Sequence, residues 1–218
     1  MVKWSYSSMS LFQQCPKKFY HIKVAKTIVE PTSWQMIYGL EAHKVAEDYV
    51  QDDVPIPEKF AFMKGALDTV KKYKGVIYCE HKMGVTDTQE ACDFNADNVW
   101  WRGIADLLVV QGDRAKIIDY KTGQNKYADT KQLELLALAA FKHFPELKVI
   151  NAGLLFVVHP AFIKQRYERD EIEHRWGKWK EKAEELGTAY TTNVWNPKQN
   201  FTCRSWCPVV NCVHNGKR

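Results

Sequence analysis

Two aspartates and a lysine in the middle of the chain, with three closely spaced cysteines at its end, are the residues whose types and spacing could do chemistry. The stretch from Trp101 to Gly123 reads as two apolar strands around Gly112-Asp113. A Gly-Asp dipeptide between strand-like runs signals a two-residue hairpin. If the turn centres there, opposed residues have numbers that sum to 225, and Asp106 and Asp119 do. Directly opposed residues have Cβ atoms about 5 Å apart. The alternation of a strand places Lys121 on the face of Asp119. Two carboxylates and an ammonium in one patch suit a hard divalent cation such as Mg²⁺ or Mn²⁺, which takes a few carboxylates, keeps several waters and works on phosphate groups. The tripeptide alone decides nothing: acid-x-Lys recurs at Glu80-His81-Lys82, Asp129-Thr130-Lys131 and Glu146-Leu147-Lys148. A surface ion pair on an ordinary hairpin would read the same. The Asp119 copy differs in ending an apolar strand opposite a second acid and in preceding Thr122-Gly123.

Cys203, Cys207 and Cys212 lie in a tail that is otherwise rich in Asn and Pro and poor in periodicity. Such a tail needs something other than core burial to order it. A fourth ligand would complete either a tetrahedral zinc site or a [4Fe–4S] cluster. Cys15, at a helix end before Pro16, is the best-placed thiol, and His21 or His214 could serve zinc. Cys79 and Cys92 fall in or beside strands and read as small core residues.

These groups must be positioned by a mixture of helices and strands. A short capped helix at Ser7–Phe12 is followed by a restart at Pro16, with Phe12, Phe19 and Tyr20 facing the core. Ser33 caps a helix to about Val50, in which Gly39, His43 and Glu47 recur every four residues and share a face. Another helix covers about Glu58 to Tyr73. Strand pattern follows from Val76 to Val85, then a polar stretch, then the hairpin. Asp129 to Phe144 is helical, Val149 to Val158 a strand, and Asp170 to Leu186 a charged helix carrying Trp176 and Trp179. This order predicts an α/β fold of the α+β type, a mostly antiparallel sheet with helices covering it.

The length, 218 residues, fits one core. We read a single domain over 1–218, within which 1–30 and 193–218 form the cysteine subregion. The net charge of +5 is mild, but lysines cluster at 17–26, 71–74 and 178–182, compatible with a polyanion partner or with solvated helix faces. Met1 to Phe12 lacks the pattern of a secretory signal, and no apolar run approaches the roughly 20 residues that span a bilayer. A cytoplasmic protein without a membrane partner is expected, in which clustered cysteines hold metal in preference to forming disulfides.

Together these motifs resemble the PD-(D/E)XK nuclease superfamily, in particular its RecB-like branch with the CRISPR-associated and phage-type iron–sulfur exonucleases. The residues that carry the resemblance are Ser8 to Tyr20 with Phe12, Cys15, Pro16 and Phe19; Gly39-x₃-His43-x₃-Glu47; Arg102-Gly103-Ile104-Ala105-Asp106; Ile117-Ile118-Asp119-Tyr120-Lys121-Thr122-Gly123; Gln132 to Ala137; and the three final cysteines. They span nearly the whole chain in the family's order. Leu136 stands where many relatives have tyrosine, and the cysteine spacing departs from the commoner one, which keeps zinc open beside [4Fe–4S].

The resemblance implies a restriction-endonuclease-like mixed sheet flanked by helices, with a cysteine-ligated cluster joining the N-terminal helix to the tail. It implies that His43, Asp106, Asp119 and the Tyr120 carbonyl bind the catalytic Mg²⁺ or Mn²⁺, and that Lys121 orients or activates water. Gln132 would position Lys121 or the DNA backbone, and Glu80 would be an additional upstream acid. Cys15, Cys203, Cys207 and Cys212 would ligate the cluster. The expected activity is a metal-dependent deoxyribonuclease, an exonuclease on single-stranded DNA or DNA ends in recombination, repair or phage DNA processing, with a recombination or replication protein as possible partner and the oligomeric state open. The other class compatible with the residues is a non-catalytic DNA-binding accessory that keeps the nuclease scaffold and a structural cluster. No phosphate-binding loop of an ATP motor is present in the sequence.

Overall fold

The computed structural model describes residues 2–217, with residue 127 described by its backbone alone. Two compact units divide the chain: residues 33–176, and residues 1–32 together with 177–218.

The larger unit is a six-stranded mixed sheet in the order β2-β1-β3-β4-β5-β6. Its strands are β1 (Val76–Val85), β2 (Ala91–Cys92), β3 (Trp101–Gln111), β4 (Arg114–Lys121), β5 (Val149–Phe156) and β6 (Ala161–Glu168). All neighbours are antiparallel except β4 and β5, which run parallel. Parallel neighbours need a crossover connection, and α5 (Lys131–His143) supplies it. Leu133 and every residue from Leu135 to Phe141 are buried, so this helix is apolar nearly all round, as a helix enclosed by other elements must be. A second layer consists of α3 (Trp34–Asp52) and α4 (Lys64–Lys71). Ala42, Ala46 and Val50 of α3, with Phe60, Met63, Leu67 and Val70, close over Leu107, Val109, Ile118 and Tyr120 of the sheet.

The β3–β4 hairpin has the expected register. Leu107 pairs with Ile118 and the ladder runs to Gln111 and Arg114, each pair summing to 225. Gly112 adopts φ +58 at the first turn position, where a residue with a Cβ would be strained.

Several elements differ from the sequence expectation, among them the short β2 in the stretch expected to be without structure. The helix expected over 58–73 begins as a 3₁₀ segment, Glu58–Met63, and becomes α-helical only at Lys64. Strand β6 has no counterpart in the sequence expectation, because its exposed residues Phe162, Lys164, Gln165 and Arg166 break the apolar alternation that marks a buried strand. The last helix, α6 (Ile172–Thr192), extends six residues beyond Leu186 on a run of small and hydroxyl residues.

In the smaller unit, α1 (Tyr6–Gln14) carries a capping box at Ser5 and Ser8, and α2 (Pro16–Phe19) starts with proline at its first turn. Phe19 stacks on Trp195 at 5.9 Å, and Phe12 meets Phe19 edge-on at 5.6 Å. Trp4 is buried and stacks on Trp179, so its ring is a packing residue. Among the described residues, no helix is long and apolar enough to cross a membrane.

Candidate active site

The hairpin ladder stops at Leu107–Ile118, and the next pair, Asp106 and Asp119, is held by side chains. Asp106 Oδ2 accepts a hydrogen bond from the Tyr120 amide at 2.7 Å. The same oxygen lies 3.3 Å from His43 Nδ1. His43 Nε2 donates to the Tyr120 carbonyl at 2.9 Å. One imidazole from α3 is thereby clamped between a carboxylate and a carbonyl oxygen at the end of β4. Burial acts to lower the His43 pKa, but the hydrogen bond to Asp106 and the negative field of Asp106, Asp119 and Glu80 outweigh it and raise the pKa.

Glu80 joins this group through an unusual backbone. It has φ +47 in the middle of β1, a left-handed conformation that costs a residue with a side chain on the order of 1–3 kcal/mol. The β1–β3 ladder pairs Cys79 with Leu107 and His81 with Ala105 and skips Glu80 and Asp106 between them. The alternation of faces slips at that point. Tyr78 and His81 belong to opposite faces of a regular strand, yet their rings meet at 4.9 Å. The irregularity gathers His43, Glu80 and Asp106, whose donor atoms all lie within 4.8 Å of one another. Burial foremost, with Asp106 beside it, raises the Glu80 pKa.

Asp119 and Lys121 form the second half of the site. Asp119 is almost fully buried, and Lys121 Nζ lies 2.5 Å from its Oδ2. Lys121 also donates to Gln132 Oε1, in the first turn of α5, at 3.2 Å. Burial, and then the charge of Asp106, push the Asp119 carboxyl up to about 6, against the opposing pull of Lys121. Asp106 and Asp119 thus hold the register positions the sequence predicts, but their carboxylates engage different partners, Asp106 the histidine and Asp119 the lysine. Glu47, one turn from His43 on α3, pairs with Lys44 at 3.1 Å.

These groups fit a divalent cation: His43, Glu80 and Asp106 offer ligand atoms within 4.8 Å of one another, while Asp119 lies outside that group and reaches it through the charge of Asp106. His43, Glu80, Asp106, Asp119 and the Tyr120 carbonyl are the candidates to hold it. No sequence signal marks the left-handed backbone at Glu80, since that conformation is imposed by the strands around it.

In the smaller unit, Cys15, Cys203, Cys207 and Cys212 line one small cavity, with Lys17, Lys18 and Asn200 at its wall. All four thiols are buried and free of disulfides. Backbone amides point at two of the sulfurs: Lys198 N–H at Cys15 Sγ and Asn200 N–H at Cys203 Sγ, each 3.4 Å. Among the described residues, no three of these sulfurs lie within 4.8 Å of one another. His21 bonds to Thr27 and lies outside the cavity lining, as does His214. Cys79 packs against the α3–α4 core, and burial raises its thiol to about 11.

Comparison with known proteins places the chain in a class. The profile of the PD-(D/E)XK nuclease superfamily matches residues 3–212, and the chain belongs to that superfamily. Among solved structures, a candidate exonuclease from Eubacterium rectale superposes with a TM-score of 0.54 at 9% identity, over 93% of this chain and 86% of the other. The structure of SSO0001 aligns over 98% of this chain and 86% of its own, with 13% identity and a TM-score of 0.48. At these identities the likeness is one of fold. A search of curated proteins finds no match.

Proposed function

We propose that this protein is a Mg²⁺- or Mn²⁺-dependent deoxyribonuclease that acts as an exonuclease on single-stranded DNA or DNA ends. The observation that carries this reading is the hairpin register: extended one pair past Leu107 and Ile118, it sets Asp106 and Asp119 opposite each other, with Lys121 on Asp119 and His43 on Asp106. A bound divalent cation would neutralise charge on the scissile phosphate and acidify a water. His43, Asp106, Asp119, Glu80 and the Tyr120 carbonyl hold the ion in this reading. Lys121, fixed by Asp119 and Gln132, presents positive charge to the phosphoryl oxygens and orients the attacking water. The water oxygen bonds to phosphorus as the bond to the leaving sugar oxygen breaks, and the proton lost from water is balanced by one gained on the leaving oxygen. Gln132 acts through Lys121.

The four cysteines hold a [4Fe–4S] cluster in this reading. The amides aimed at Cys15 and Cys203 supply hydrogen bonds of the kind that cluster sulfurs accept. The cluster then ties residues near both chain ends, with 1–30 and 193–218 as its subregion of a single nuclease domain.

Incubation with end-labelled single-stranded DNA and Mn²⁺, with and without EDTA, tests the activity. Chelator-sensitive shortening from an end is expected. Binding without cleavage would instead identify a non-catalytic accessory. Anaerobically purified protein should absorb broadly near roughly 400 nm, and a colourless zinc protein would refute the cluster.

A further inference from the structure

A cationic, aromatic face of the larger unit has no part in the site described above. Lys116, Asn151, Phe162, Lys164 and Arg166 are all exposed and, with Tyr73, line one open concavity. The sheet register explains their alignment. Lys116 pairs with Asn151 and Asn151 with Arg166; Ile118 with Gly153 and Gly153 with Lys164; Tyr120 with Leu155 and Leu155 with Phe162. Three adjacent rows thus climb β4, β5 and β6 toward Tyr120, whose carbonyl holds His43. At strand spacings Phe162 stands about 10 Å across the sheet from Tyr120, and Lys116 about 13 Å back along β4.

The chemistry of the face suits an unstacked polyanion. Among the described residues, none that lines the concavity carries a carboxylate. Among the described residues, neither Lys116 nor Lys164 is paired with an acid; the Lys116 ammonium rests 3.9 Å from the Tyr73 ring centroid and that of Lys164 5.4 Å from the Phe162 ring centroid. Arg166 is engaged by Glu168 at 2.8 Å and is the least available of the three cations. Phe162 is 41% exposed. Its ring lies against the backbone of Gly153, where an added Cβ would fall 2.1 Å from a ring carbon. The glycine seats the aromatic ring and leaves the rest of it open to solvent. Charges on an edge strand commonly guard against sheet-to-sheet pairing. That accounts for Lys164 and Arg166 on β6, but not for Lys116 in an interior strand or for an exposed phenylalanine.

We propose that this face is a track for single-stranded nucleic acid, on the sheet face opposite the side chains of Asp119 and Lys121 and leading to the end of β4 that carries them, with Lys116 and Lys164 holding backbone phosphates and Phe162 stacking a base. The proposal rests on the nuclease reading for its purpose but is tested without it.

A labelled 20-nucleotide oligothymidylate is titrated in EDTA across a salt series, and hydrolysis of bis(p-nitrophenyl) phosphate with Mn²⁺, a substrate too small to reach the track, is measured in parallel. Phe162→Ala should weaken binding about 5-fold or more, with Phe162→Trp restoring it. The double variant Lys116→Glu/Lys164→Glu should weaken binding more than about 10-fold and flatten the log–log salt slope by about 1.4, two phosphates at about 0.7 each. Hydrolysis of the small diester should stay at the wild-type level in every variant. Wild-type affinity and slope in these variants would overturn the track and leave the nuclease reading standing. A wild-type protein that hydrolyses neither diester nor DNA would overturn the nuclease reading, while a loss of oligonucleotide binding in the variants would still support the track. Equal dependence of duplex binding on Phe162 would overturn the assignment to single strands.

Discussion

The carboxylate site and the thiol cavity are built in opposite ways. Around Asp106 and Asp119 the backbone does the positioning, through a two-residue turn, a five-pair ladder and a clamped histidine. Beneath them lies a core of twelve buried residues that cannot be displaced without losing the sheet. Around Cys207 and Cys212 the corresponding cluster, among the described residues, holds Cys207, Val209 and Cys212, with Ile28 against it. A site carried by sheet register can tolerate crowded like charges and left-handed backbone at Glu80, because the surrounding fold outweighs them. A site carried by a short tail has no such reserve, so its order depends on what it binds.

The largest effects should come from the carboxylate site and should leave the fold untouched. Asp119→Ala and Lys121→Ala should each reduce DNA cleavage by at least about 1000-fold, with circular dichroism and melting close to wild type. Substantial activity in either would break the assignment of these residues.

In the thiol cavity the loss should be structural. Cys207→Ala should strip bound iron and sulfide from the purified protein and render residues 1–32 and 177–218 sensitive to limited proteolysis, while residues 33–176 stay resistant. Unchanged metal content, measured by elemental analysis, would remove the contrast between the two regions.

Proton binding sharpens the comparison further. Because Asp119 is pushed up to about 6, above its ordinary carboxylate value, the ion-free fold binds a proton that the unfolded chain releases between about pH 4 and 6. Stability from this group is therefore present at low pH and is lost as pH rises through 6. Mn²⁺ competes with that proton, so Mn²⁺ affinity should climb as pH rises through the same window. Titration calorimetry at pH 5 and 7 checks the direction, and a flat profile would show that Asp119 is no ligand.

The smallest effect isolates the strain at Glu80. Glu80→Gln removes the charge and keeps the left-handed backbone, and Glu80→Gly removes both. The glycine variant should melt above the glutamine one by an amount worth about 1 kcal/mol, while both bind Mn²⁺ more weakly than wild type. Equal melting would show that the backbone at Glu80 stores no strain.

Much of the carboxylate site was legible because it follows from local rules. Gly112-Asp113 specifies the turn, the turn specifies the register, and the register pairs Asp106 with Asp119. The helical repeat of Gly39, His43 and Glu47 likewise set His43 on a definable face, although only the fold shows Glu47 occupied by Lys44. Strand β6 carries no apolar alternation to read, because five of its eight residues are exposed.

Sequence by itself determined the hairpin, the α/β class, the family motifs and the isolation of three cysteines in a tail without a core, since each depends on neighbours a few residues apart or on composition. Only the tertiary structure decided that Asp106 turns to His43 and Asp119 to Lys121, that Glu80 is swung in by a left-handed backbone, and that Cys15 shares a cavity with the final thiols. Those outcomes depend on contacts between residues far apart in the chain, where packing and the field of neighbouring charges override local preference.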